Sequence, residues 1–118
     1  MEVVSFEIAK KLKERGYREK AMYFYDELGY DWHCIEPSNM NNTRNYSAPF
    51  ISQVLKWLRK NHNIFIVVFL NDDTDNPVTY EIYQGTECLL HHHGRYFSLQ
   101  EWDKANIDAI EYVLDNLI

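Results

Sequence analysis

The chain has 118 residues, 46% of them hydrophobic and 15% aromatic, a composition that supports a packed core and a single globular domain over 1–118 and excludes disorder. The net charge of −6 is uneven: residues 1–70 hold ten Lys/Arg against eight Asp/Glu, and residues 71–118 hold two against ten. An acidic second half repels phosphate backbones, which argues against general nucleic-acid binding, and no apolar run nears the roughly 20 residues of a bilayer span.

The first element is a helix. Ser5 caps it, Ile8, Ala9 and Leu12 form its apolar stripe, and Lys10, Lys11, Lys13 and Glu14 face water. Gly16 stands where a left-handed residue ends a helix, with Tyr17 placed to pack back on Leu12. Two aromatic runs follow, 21–26 and 30–35, broken by Gly29; they predict a β-hairpin. Residues 37–45 read as a polar loop rich in Asn and Ser.

A second helix is expected next, with Ser47 as its cap, Pro49 in its first turn and Ile51, Val54, Leu55 and Leu58 on one face. Trp57 lies beside that stripe. Ile64–Leu70 is apolar throughout, rich in β-branched and aromatic residues, and predicts a central strand covered on both faces. Val78–Tyr83 alternates, and 87–92 predicts a third strand of the same meander. The last helix opens on a capping box, Ser98 to Glu101, and carries Trp102, Ala105, Ala109, Ile110, Val113, Leu114 and Leu117 as its stripe. The order α-β-β-α-β-β-β-α predicts an α+β fold: a mainly antiparallel sheet of four to five strands packed by three helices.

Three stretches carry a resemblance: Val4-Ser5-Phe6-Glu7-Ile8-Ala9-Lys10-Lys11-Leu12-Lys13, Tyr46-Ser47-Ala48-Pro49 leading to Lys56-Trp57-Leu58-Arg59, and the ending Glu111-Tyr112-Val113-Leu114-Asp115-Asn116-Leu117-Ile118. In this order they resemble a family of small uncharacterised proteins encoded by phages, prophages and mobile elements of gut Bacteroidetes. The resemblance implies a mobile-element setting and assigns no chemistry to any residue.

The residues suited to chemistry are few. His91, His92 and His93 stand in a row, but strand alternation sends His91 and His93 to one face and His92 to the other. A zinc site needs more ligands than two histidines, and no C-x-x-C or H-x-x-x-H spacing joins His33, Cys34, His62 or Cys88 to them. The triplet therefore reads as a polar strand end leading into Gly94, with no metal and no cofactor expected. Asn71, Asp73 and Asp75 alternate as in a calcium loop, yet Asn76 and Ile82 occupy the positions that need glycine and glutamate. A solvated hairpin turn is the reading. No nucleophile elbow, Gly-rich phosphate loop or Walker motif occurs, and Cys34 and Cys88 are expected to be reduced thiols.

These readings favour a non-enzymatic protein-interaction module in the cytoplasm, since the first residues show no signal-peptide pattern. Its partner would be a protein, a second copy of the chain included. The expected surface is aromatic: Tyr23, Tyr25, Trp32, Tyr80 and Tyr83. An acidic 71–118 surface that mimics nucleic acid is a second version of the same idea. The alternative from another class is a small metal- or thiol-dependent enzyme using His91, His93 and His33 with Cys34 or Cys88.

Overall fold

A computed structural model of the chain describes residues 2–71, 75–91 and 94–118. The fold is α+β; the described residues form three α-helices and six strands in two three-stranded antiparallel sheets. The chain gathers into two compact units, Met1–Val54 with Ile118, and Leu55–Leu117. The single sheet expected from the strand count is thus two sheets.

In the first unit, α1 spans Phe6–Glu14 and buries Ile8, Ala9 and Leu12. The Ser5 hydroxyl accepts from the Ile8 amide at 3.3 Å. At the other end Gly16 takes φ +87°, and the amides of Tyr17 and Gly16 donate to Leu12 and Lys13 carbonyls at 3.0 and 3.2 Å. These two bonds are a Schellman ending, which satisfies carbonyls the helix itself cannot. The hairpin is β1 (Ala21–Tyr25) and β2 (Asp31–Ser38). Asp26 holds its turn: Oδ1 accepts from the amides of Leu28 and Tyr30, and Oδ2 from Trp32 Nε1 at 3.0 Å. The Trp32 bond is the largest influence lowering the Asp26 pKa below its ordinary value.

The stretch expected as a loop is more ordered than its composition suggests. Pro37 and Ser38 close β2, on a strand at the sheet edge where a proline leaves no ladder bond unmade. Met40–Asn42 forms a 3-10 turn, and Tyr46–Ser47 is a short strand, β3, giving the order β2-β1-β3. Ser47 is therefore no helix cap: it is fully buried in β3, and its hydroxyl accepts from the Met40 amide at 3.0 Å. Asn41, 4% exposed, ties this segment down. Its Nδ2 donates to the Tyr17 carbonyl and its Oδ1 accepts from the Ser47 amide, both at 2.8 Å.

Helix α2 spans Ile51–His62. Its start is held by Gln53, whose Oε1 accepts from the Phe50 amide at 2.8 Å. Ile51, Val54, Trp57 and Leu58 are buried, so Trp57 belongs to the stripe rather than beside it. Asn63 follows at φ +56°, the left-handed turn that stops the helix.

In the second unit, β4 (Ile64–Leu70), β5 (Val78–Gln84) and β6 (Glu87–Leu90) form the sheet β4-β5-β6. The apolar run of β4 is not the central strand. It lies at the edge, β5 is central, and Phe65, Val67 and Leu70 of β4 are 37%, 43% and 59% exposed. Helix α3 (Trp102–Asn116) lies against β4 and β5 and buries Ala105, Asn106, Ala109, Ile110, Val113 and Leu114. Trp102, expected in that stripe, is 40% exposed at the first position of the helix, after the 3-10 turn Leu99–Glu101. On the face away from α3, Phe65 and Val67 of β4 are exposed. The capping box forms: the Ser98 amide donates to Glu101 Oε1 at 2.9 Å. Asp108 of α3 accepts from Tyr80 Oη at 2.6 Å and from Arg95 Nε and Nη2 at 2.8 and 2.6 Å, tying helix to sheet. No described helix is long and apolar enough to cross a membrane.

Two measurements check this account. Asn41→Ala leaves the buried Ser47 amide without its acceptor, while the Tyr17 carbonyl keeps the Arg18 guanidinium as a donor at 2.9 Å, and the unfolding free energy should fall by about 1–3 kcal/mol in urea titration. Glu101 has a pKa lowered first by the Ser98 amide and then by Lys104. A lowered carboxyl stabilises above its unfolded-state value and loses that contribution as pH falls through the folded one. The melting temperature of Glu101→Gln should therefore trail the parent at neutral pH and converge with it in acid.

Candidate functional site

Strand β5 sorts the second sheet into two faces. Val78, Tyr80 and Ile82 point under α3 and are at most 1% exposed. Period two then sends Thr79, Glu81 and Tyr83 to the other face. The uninterrupted pairing of β4 with β5 sets Phe69 across from Thr79, Val67 from Glu81 and Phe65 from Tyr83. This outer face is apolar along β4. Thr79 is buried at one end of it, where its hydroxyl donates to the Arg95 carbonyl at 2.9 Å.

The β6 side of the same face is polar, and a bulge makes it so. Gln84 pairs with Glu87 and Tyr83 with Cys88, but Ile82 pairs with Leu90. Leu89 is an extra residue in the ladder. In a regular strand Cys88 shares a face with residue 90, and residue 91 points away. The extra residue reverses the phase. Cys88 stays with Tyr83, Leu90 turns to the core side with Ile82, and the next residue, His91, comes to the outer face beside Glu81. His91 Nδ1 meets Glu81 Oε2, and the other carboxylate oxygen accepts from Tyr83 Oη at 3.2 Å. Donor atoms of Glu81, Cys88 and His91 all lie within 4.8 Å of one another.

Glu81 is the residue that the sequence reading missed. Its only sequence signal is its place on the polar face of an alternating strand. Of the partners expected for His91, Cys88 falls beside it, and the others that the structure describes fall elsewhere. His33 and Cys34 are on β2 of the first sheet, exposed and half-buried respectively. His62 ends α2, its ring edge-on to Trp57 at 4.9 Å. His92 and His93, like Asp73 of the acidic turn, lie outside the described residues.

The five-residue aromatic surface does not form one patch. Tyr80 is buried at 1% exposure, donates to Asp108, and has its pKa raised first by that burial and then by this bond. Tyr83 is on the opposite face of the same strand. In the first sheet Tyr23 and Tyr25 share one face. Tyr25 donates to the Val4 carbonyl at 2.7 Å and packs on Phe6, and Tyr23 packs on Phe50. Trp32 pairs with Phe24 and so lies on the other face. Alternation, which the tyrosine count ignores, divides the set.

No protein-family model, no curated protein and no solved structure matches this chain.

The outer face is expendable for folding, whereas the inner face is not. Val67→Lys should change the unfolding free energy of the monomer, compared at a dilution where no dimer persists, by less than about 0.5 kcal/mol. Ile82→Ala, at a fully buried site, should cost about 2–5 kcal/mol in the same urea titration.

Proposed function

We propose that the chain is a non-enzymatic protein-interaction module that takes a partner strand along the free edge of β4. The observation that carries this reading is the character of that edge. β4 is seven residues long, pairs with β5 without a bulge, and holds neither proline nor charge. Edge strands are ordinarily short, bulged, charged or covered, because their unmade hydrogen bonds otherwise recruit other chains. Among the described residues no strand pairs with the second side of β4. Its own Phe65 and Val67, both exposed, supply apolar contact for whatever strand is added. The setting in a phage or mobile element is what the resemblance of the two termini and the second helix implies.

A second copy of the chain is the first partner to examine. Two β4 edges running antiparallel about a two-fold axis give each other the same surface and leave neither open. Sedimentation of the wild type across concentrations should show a dimer that persists in high salt, since its contacts are backbone and apolar. Val67→Lys, with unchanged circular dichroism, should be monomeric; a dimer that tolerates this lysine, or one that dissolves in salt alone, refutes β4 as the interface. If the wild type is monomeric throughout, both proteins are used as baits in host lysate without a histidine tag. A partner held by wild type and lost by Val67→Lys upholds the edge, and equal recovery refutes it.

A further inference from the structure

We propose that Glu81, Cys88 and His91 form a zinc site on the outer face of the second sheet, with water completing the coordination. The inference goes beyond the proposed interaction and stands whether or not β4 takes a partner.

The first reason is convergence. A carboxylate, a thiol and an imidazole, from β5, β6 and the residue that follows β6, bring donor atoms within 4.8 Å of one another. A tetrahedral zinc with bonds of about 2.0–2.3 Å separates its donors by roughly 3.5 Å. The three donors are within side-chain reach of that separation.

The second reason is the bulge. Cys88 and His91 are three residues apart, a spacing that a regular strand splits between its two faces. The extra residue at Leu89 puts both beside Glu81. Such bulges recur where a strand must re-aim a functional side chain. Leu90 meanwhile keeps its place opposite Ile82 on the core side, so packing is retained and the polar residues are gathered.

The third reason is charge and orientation. Glu81 has a side chain only 15% exposed, a costly place for a carboxylate beside the apolar row of β4. Its second oxygen accepts from Tyr83 Oη, a bond of the kind that orients a ligating carboxylate. Thiolate and carboxylate together balance a divalent ion, with the imidazole neutral. Binding therefore releases the Cys88 proton to solvent and strengthens as pH rises. Cys88 Sγ now donates weakly to the Leu90 carbonyl at 3.4 Å, a bond given up when the thiol ionises. Sulfur, nitrogen and oxygen donors in a tetrahedral set select zinc over calcium or magnesium, which take oxygen ligands alone.

The test uses the full chain with a cleavable tag free of histidine, purified without metal resin. Zinc is titrated in competition with a chromophoric chelator, and cobalt(II) is used as the spectroscopic probe. The expected result is one equivalent of zinc. The cobalt form should show tetrahedral visible absorption together with a thiolate charge-transfer band. Cys88→Ser should abolish that band, and Glu81→Gln and His91→Ala should each weaken zinc binding at least about tenfold, the loss typical even of an outer-sphere partner. Cys34→Ser should leave the band in place, and the double substitution His92→Ala/His93→Ala should leave one equivalent bound. No competition with the chelator would overturn the site. So would a charge-transfer band lost in Cys34→Ser rather than Cys88→Ser. Binding that survives Cys88→Ser but disappears with His92 and His93 would also overturn it, showing that the histidine run chelates as a plain peptide does. Cys88 and His91 are exposed, so these variants keep the fold, which circular dichroism verifies.

Discussion

Strand β5 is the constraint on which the second unit depends. Val78, Tyr80 and Ile82 must all reach the core below α3, and the Asp108 carboxylate holds Tyr80 there through its hydroxyl. With that face fixed, Thr79, Glu81 and Tyr83 have no freedom: they are turned to the side away from α3. The two halves of the outer face follow from this division. The β4 residues across from them become the apolar row, and the β6 residues across from them become the polar cluster.

The same sheet treats its two edges differently. β6 is short and bulged and ends after four residues, features that discourage pairing with another strand. β4 has none of these and runs straight for seven residues. An asymmetric sheet of this kind has one edge suited to addition of a strand and another whose irregularity is spent on positioning side chains. The proposed interaction and the proposed zinc site thus use opposite borders of one face, with Tyr83 between them, paired with Phe65 and donating to Glu81.

In the first unit a polar residue does what apolar packing does in the second. Asn41 is buried among backbone groups, and its amide joins the end of the α1 turn to β3. Without such a link a two-residue strand has too few ladder bonds to hold its place. Lys13 adds to it by donating to the Thr43 and Asn45 carbonyls at 2.6 and 2.9 Å. The segment is polar in composition because its order comes from side-chain to backbone hydrogen bonds.

Local rules sufficed for much of the fold. Ser5, Gly16 and the Ser98–Glu101 box mark helix ends through bonds within a few residues, and Gly29 marks the hairpin for the same reason. Helical and alternating periods identified the buried faces of α1, α3 and β5 because those faces repeat along the chain itself. The sequence by itself therefore determined the α+β class, the three helices and five of the six strands. Tertiary structure alone decided the rest. An apolar run such as Ile64–Leu70 looks the same at an edge as in the middle of a sheet, since its neighbours come from distant residues. A polar stretch such as 39–47 gains order only from partners at Tyr17 and β1. One inserted residue, Leu89, is invisible to a period of two, yet it determines which side chains meet Glu81. The site was hidden because a bulge is defined by the strand opposite, and not by the residues that form it.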